Sequence, residues 1–135
     1  MKFVETYRFS PAAQNYKKYG YYTDAIPGTR EYYEFWDVET ERCINGYEVS
    51  GVKITGYHYF YLNYCPIDRA IDTYLADGTK IAQRDRTFPA FYDGDYDYFH
   101  VIERCRKENK HLAVLKARRK GFSYKAGAML ARNYF

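Results

Sequence analysis

The sequence predicts an α/β fold with an incomplete sheet, because segments typical of helices and of strands alternate along the chain. The last of them form a strand, a basic turn that contains a glycine, and a helix. The strand is the apolar run of residues 112–115, the turn covers residues 116–122, and the helix covers residues 125–132. An unbroken apolar run is typical of a central parallel strand covered on both faces by helices. Since only one helix follows it, we expect this chain to be the N-terminal portion of a longer protein.

Composition predicts one domain with an aromatic core. The chain has 135 residues, and a domain of that size buries roughly two thirds of its unfolded surface. Hydrophobic residues make up 47% of the chain, but 18 residues are tyrosines, whose hydroxyl groups need water or a partner. We therefore expect the core to be hydrated at its rim. No apolar stretch approaches the roughly 20 residues that span a bilayer, so we expect no membrane insertion.

The basic residues are unevenly placed. The formal net charge is +4, and lysine and arginine are concentrated in the last third of the chain. Such a patch attracts phosphate groups and polyanions through its field and through counterion release. A solvated basic helix face explains the same pattern, so charge alone does not decide between the two.

The cysteines and histidines predict neither a metal site nor a nucleophile. The three cysteines are odd in number and include no Cys-x-x-Cys pair, and no secretory signal begins the chain. The three histidines are far apart, without the spacing of zinc ligands. We expect reduced thiols in a cytosolic protein and packed or surface histidines.

The N-terminal third predicts an arm followed by a helix. Residues 1–29 are rich in tyrosine without a clear period, so we expect an irregular arm. From residue 30 to about residue 43, aromatic and apolar residues recur at helical spacing opposite an acidic face. This pattern predicts a helix that ends near Asn45-Gly46. We accordingly divide the chain into the arm and one domain, residues 30–135.

The middle of the chain predicts strands. Residues 52–55 and 57–62 are dense in β-branched and aromatic residues, which favours two strands separated by Gly56. Residues 71–75 and 80–86 flank an Asp-Gly pair, which tolerates positive φ and predicts a hairpin.

A helix is predicted after this hairpin. A loop containing Pro89 precedes a helical pattern that runs from about residue 95 to Lys107, with Asp95 as its N-cap. Its apolar side carries aromatic residues, so we expect it to pack against the core.

The basic turn has the elements of a phosphate-binding loop in an unusual order. Such a loop needs converging backbone N–H groups, a lysine for the terminal phosphates and a hydroxyl for Mg²⁺. With Gly121 as its second glycine, Ser123 takes the magnesium position, but Phe122 occupies the usual place of the lysine. Lys116, at the end of the strand, can reach the phosphates from the opposite side. Lys125 is a weaker candidate, because it must fold back over the first helical turn; a basic loop without a ligand remains the alternative.

Three segments resemble the large subunits of phage terminases, the ATPases that package DNA. Residues 116–123 resemble their deviant Walker A motif, in which the lysine stands first and an arginine, here Arg119, lies two places before the glycine. Residues 54–67 resemble a segment that precedes the ATPase core. Residues 88–92, with the helix after them, resemble the region around the adenine. The segments occur in the family's order and imply that residues 30–135 are the N-terminal part of a P-loop NTPase domain.

The resemblance implies ATP and Mg²⁺ as cofactors. By this analogy Lys116 and Arg119 contact the β and γ phosphates, and backbone N–H groups around Gly121 cradle them. Ser123 then holds Mg²⁺ through its hydroxyl group.

Four further residues belong to the implied nucleotide site. Arg118 and Phe122 complete the loop, and Phe91 or Tyr92 stacks on the adenine. The sequence pattern is also typical of aromatic residues packed in the core, so a structural role for Phe91 and Tyr92 remains an alternative.

The resemblance implies the ATP-binding part of a motor that moves double-stranded DNA into a capsid, in the host cytoplasm. It also implies a homo-oligomeric ring that contacts the small terminase subunit and the portal protein. Hydrolysis needs a carboxylate that orients Mg²⁺ and a glutamate that activates water; no residue after Ser123 fits these roles, so we expect no catalytic residue here. The alternative is a non-enzymatic module that binds nucleic acid or a protein partner through its basic C-terminal patch.

Overall fold

The computed structural model describes residues 5–118 and 120–134, which form a small mixed α/β domain. Within these residues the elements, in chain order, are a 3-10 turn (Thr6–Phe9), α1 (Pro11–Tyr19), α2 (Arg30–Asn45), β1 (Tyr47–Val49), β2 (Val52–Ile54), α3 (Gly56–Tyr64), β3 (Ile67–Tyr74), β4 (Lys80–Thr87), α4 (Asp93–Lys107) and α5 (Phe122–Arg132). The strands form two separate antiparallel pairs, β1 with β2 and β3 with β4. Helix α3 lies at the centre, with α1, α2, α4 and α5 packed around it.

The predictions for α2, β2, the β3–β4 hairpin and α5 are confirmed. Helix α2 begins where the pattern predicted, because the Thr29 hydroxyl oxygen accepts a hydrogen bond from the backbone N–H of Tyr32 at 3.4 Å. The chain leaves α2 at Gly46, whose φ of 101° suits glycine. The hairpin turns at the Asp-Gly pair, with Tyr74 opposite Lys80.

The prediction of a strand over residues 57–62 is wrong, because these residues belong to α3. Thr55 caps the helix by accepting from the backbone N–H of His58 at 3.2 Å. Every residue from Gly56 to Asn63 is buried, and a helix buried on all sides shows no amphipathic period. At Gly56 a Cβ atom would overlap the carbonyl oxygen of Cys43, so glycine lets α2 and α3 approach closely.

The prediction of an irregular arm is also wrong, since residues 5–29 contain the 3-10 turn and α1. The side chain of Asn63, fully buried in α3, makes three hydrogen bonds, and two of them fix this segment. Its Oδ1 accepts from the backbone N–H of Ala13 at 3.1 Å, and its Nδ2 donates to the carbonyl oxygens of Phe9 at 3.1 Å and Tyr59 at 3.0 Å. A residue fifty positions away thus satisfies an amide in the first turn of α1.

Replacing Asn63 with alanine is expected to lower the free energy of unfolding by about 3 kcal/mol, since each buried group left unpaired costs about 1–3 kcal/mol. Urea unfolding measures the loss, and limited proteolysis should show faster cleavage within residues 5–29. Asn45→Ala makes the same chemical change at an exposed position and should leave both measurements unchanged. Equal stability of the two variants would contradict the anchoring role.

The prediction of a buried strand over residues 112–115 is wrong. This run has no strand assignment, its residues are exposed, and Leu115 is fully exposed. A central strand needs neighbouring strands on both sides, and no described strand pairs with this run. The described residues therefore contain no parallel sheet.

Helix α4 confirms the predicted helix but begins earlier. It starts at Asp93, and Tyr92 occupies the N-cap position instead of Asp95. The carboxylate of Asp95 is buried and pairs with the ammonium group of Lys125 in α5. This contact takes Asp95 away from capping and joins the two helices beside the basic turn.

Candidate phosphate-binding groove

A groove of about 1040 Å³ lies between the base of the β3–β4 hairpin, the start of α4 and the basic turn before α5. We call it the basic groove. Arg69 and Arg84 line it from the hairpin, Tyr92 from the start of α4, and Lys116 and Lys120 from the turn. Segments that are distant in sequence thus meet around a space large enough for a nucleotide-sized ligand.

The charge of the basic groove favours an anion. Five of its described lining residues are cationic and two are carboxylates, Asp68 and Asp95. Asp95 is neutralised by its ion pair with Lys125. The groove therefore keeps an excess of positive charge, and the apolar walls around it strengthen the attraction for a negatively charged group.

The N-terminus of α5 opens at this groove. Gly121 lines the groove and precedes the helix in the left-handed conformation, with φ at 68°, which glycine adopts without steric cost. No described side chain caps the helix through a hydrogen bond. The first N–H groups of a helix have no partner within the helix, and together with the helix dipole they favour an anion.

The two candidate lysines differ in their surroundings. Lys116 is exposed, with its ammonium nitrogen 5.7 Å from the ring centroid of Phe122. Lys125 is buried and does fold back over the first turn of α5, but towards Asp95. Its Nζ also donates to the carbonyl oxygen of Lys120 at 3.3 Å. Of these two lysines, Lys116 can reach a phosphate without breaking a buried ion pair.

Two exposed tyrosines line the basic groove, Tyr92 and Tyr124. Phe91 instead stacks on Phe9, with ring centroids 5.2 Å apart, and on His58, at 5.1 Å. Phe91 thus belongs to the packing of the core. Of the two aromatics that the sequence suggests for a base, Tyr92 is the one that faces the groove.

The structure brings four of the residues predicted for the nucleotide site together in the groove. Lys116, Gly121, Phe122 and Tyr92 line the groove. The remaining predicted residues are placed elsewhere or are not described. Ser123 is exposed in the first turn of α5, and Arg118 is exposed in the turn before it; neither is among the described residues that line the groove. Arg119 lies outside the described residues.

Sequence reasoning missed four residues at this site, namely Arg69, Arg84, Tyr124 and Asp95 as a partner of Lys125. The hairpin arginines alternate with acidic residues in the sequence and look like ordinary surface charges. Asp95 looks like a helix cap. Only the tertiary fold brings these positions to the basic turn.

The residues present suit phosphate better than a metal held by protein alone. Among residues 5–118 and 120–134, no group of three histidine, cysteine or acidic side chains could hold a metal ion. A magnesium ion in the groove would therefore depend mainly on phosphate oxygens and water. The thiols of Cys43 and Cys65 are poor nucleophiles, because burial raises the pKa of each to about 12.

Comparisons with protein-family models, with curated proteins and with solved structures found no match to this chain. Within the part of the chain that the structure describes, no helix combines the length and the apolar character needed to cross a bilayer.

Proposed function

We propose that the basic groove binds the phosphates of ATP, and that this chain is the N-terminal, ATP-binding part of a phage terminase large subunit. The observation that carries the proposal is the meeting of an uncapped helix N-terminus, Gly121 and Lys116 in one cationic groove. The order of lysine, glycine and serine in this turn is the order of the deviant Walker A motif that the sequence resembles.

Each group has a distinct role in this proposal. The N–H groups at the start of α5 cradle the phosphates, and Lys116 and Lys120 neutralise them. Tyr92 stacks on the base. The hydroxyl group of Ser123, which is not among the described residues that line the groove, is assigned a phosphate-bound Mg²⁺ by resemblance alone. Arg119 is assigned a phosphate by resemblance alone.

The wider role follows from the same resemblance. Hydrolysis of ATP by the complete protein would drive double-stranded DNA into a capsid, within a homo-oligomeric ring that contacts the small terminase subunit and the portal protein. We assign no catalytic residue to this chain, and we expect the chain alone to bind ATP weakly and without steady turnover.

Replacing Lys116 with alanine is expected to weaken the binding of Mg-ATP by about thirtyfold, or about 2 kcal/mol, which is typical of a hydrogen bond to a charged group. Isothermal titration of the pure protein measures this change. Lys107→Ala removes the same charge from the opposite end of α4, where Lys107 is exposed and lines no part of the basic groove, and should bind like the wild type. Equal affinities of the two variants would contradict the role of Lys116.

Nucleic-acid binding is the second candidate function, and the exposure of Arg118 and Lys120 favours it. It predicts DNA binding that weakens steeply with salt and does not respond to ATP. This candidate is favoured if Arg118→Ala and Lys120→Ala weaken DNA binding while Lys116→Ala and Ser123→Ala leave nucleotide binding unchanged.

A further inference from the structure

The Asp95–Lys125 pair is a buried ion pair at the edge of the basic groove. The two side chains are only 9% and 6% exposed, respectively. Asp95 lies in the first turn of α4 and Lys125 in the first turn of α5. Removing two charges from water is costly, and such a pair persists only with good geometry and further hydrogen bonds.

Lys125 also contacts the basic turn on both sides of Gly121. Its Nζ donates to the carbonyl oxygen of Lys120 at 3.3 Å, and it lies 4.4 Å from the ring centroid of Phe122. The Phe122 ring meets Tyr98 of α4 edge to face, with centroids 4.9 Å apart. One ammonium group therefore holds the residues before and after the left-handed glycine that opens α5.

We propose that Asp95 is a positioning residue of the phosphate loop, acting through Lys125. Asp95 fixes the ammonium group of Lys125, and Lys125 fixes the backbone of Lys120 and the ring of Phe122. The N–H groups at the start of α5 are thereby set for an anion before it arrives, which lowers the ordering cost of binding. This inference rests on the proposed function of the groove.

Two possible roles of Asp95 predict opposite effects of Asp95→Asn on the affinity for Mg-ATP. If Lys125 were itself the phosphate-binding cation, Asp95 would compete with the phosphate, and Asp95→Asn would strengthen binding. If Asp95 positions the loop, Asp95→Asn weakens binding although it makes the groove more positive. The direction of the change therefore distinguishes the two roles.

The test measures Mg-ATP affinity and, in the free protein, amide hydrogen exchange over residues 120–125. Asp95→Asn is expected to weaken Mg-ATP binding roughly tenfold, at the lower end of typical effects of residues that orient a ligand-binding group, and to speed up exchange of these amides severalfold. Asp97→Asn, an exposed carboxylate of the same helix, makes the same change of charge and should alter neither. Lys125→Arg, which keeps the charge opposite Asp95, should retain protection in the loop.

A single substitution could unfold the protein, because it leaves one buried charge without its partner. The double variant Asp95→Asn with Lys125→Met removes both charges, so it should fold while losing loop protection and affinity. Unchanged amide exchange over residues 120–125 in the folded Asp95→Asn protein or in the double variant, or tighter binding of Mg-ATP by Asp95→Asn, would overturn the positioning role alone. A wild-type protein that binds no Mg-ATP would overturn the proposed function and with it the role of Asp95 in binding.

Discussion

Replacing Glu39 with alanine is expected to lower the free energy of unfolding by about 3–5 kcal/mol, the usual cost of breaking a buried charged network. Glu39 is buried in α2 and accepts three hydrogen bonds. The donors are the hydroxyl groups of Tyr59 at 2.7 Å and Tyr64 at 2.6 Å, and the guanidinium group of Arg42 at 2.7 Å. The two tyrosines belong to α3, so one carboxylate joins the outer helix to the central one.

The tyrosine hydroxyl groups stay protonated and can donate. Burial is the largest cause that raises the pKa of both Tyr59 and Tyr64, and the carboxylate of Glu39 raises them further. Without Glu39, the hydroxyl group of the fully buried Tyr59 would lose its acceptor. Alanine therefore removes the charge and also leaves polar groups buried without partners.

Urea unfolding followed by circular dichroism measures the effect. Glu39→Gln keeps the shape of the side chain and one acceptor oxygen, so it should lower the free energy of unfolding by less, about 1–3 kcal/mol. This variant can still be measured if the alanine variant does not fold. Glu41→Ala changes an exposed carboxylate of the same helix and should change stability by less than about 0.5 kcal/mol. A Glu39→Ala protein as stable as Glu41→Ala would contradict the network.

Acidification from pH 6.5 to 4.5 is expected to destabilise the protein by roughly 2–3 kcal/mol through His58 alone, at about 1.4 kcal/mol per pH unit. Burial, together with the smaller effects of the nearby charges of His100 and Lys125, lowers the pKa of His58 to about 3. The ring is stacked between Phe91 and Phe99, at 5.1 and 4.9 Å, and neither of its nitrogens has a hydrogen-bond partner among the described residues.

The direction follows from where the proton binds. The unfolded chain takes up a proton on His58 near pH 6.5, whereas the folded protein does so only near pH 3. Between these values the unfolded state binds more protons, so stability falls as the pH falls.

Free energies of unfolding measured between pH 4.5 and 7 test whether His58 causes this loss of stability. His58→Phe keeps an aromatic ring in the stack and should remove most of the slope below pH 6.5. His111→Gln replaces an exposed histidine and should retain the wild-type slope. A His58→Phe protein with the full wild-type slope would show that other groups cause the acid sensitivity.

Local signals in the sequence predicted much of the fold. The spacing of aromatics in α2 and the Asp-Gly pair of the hairpin act within a few residues, and both elements appear where they were predicted. Helix α3 was mistaken for a strand because burial on every side erases its period and leaves only its aromatic composition. Helix α1 was missed because a distant residue, Asn63, helps to hold its first turn.

The residues of the candidate site also fall into those that local sequence predicts and those that it does not. The motif predicted Lys116 and Gly121, because they lie close together in the sequence and also in the groove. Arg84 and the pairing of Asp95 with Lys125 depend on contacts across about thirty positions or more, which one sequence does not reveal. The predicted strand at residues 112–115 failed because a strand is defined by its partners, and the described residues offer none to this run.

Amide chemical shifts of the wild-type protein during titration with Mg-ATP, Mg-ADP and AMP show whether the basic groove binds the phosphates of a nucleotide. If the basic groove binds the phosphates, affinity should fall in the order ATP, ADP, AMP, because each lost phosphate removes charge-assisted hydrogen bonds. The largest shifts should come from residues 120–124, with smaller ones around Tyr92. Equal affinity for the three nucleotides, or shifts confined to residues outside the groove, would show that the basic groove does not bind the phosphates.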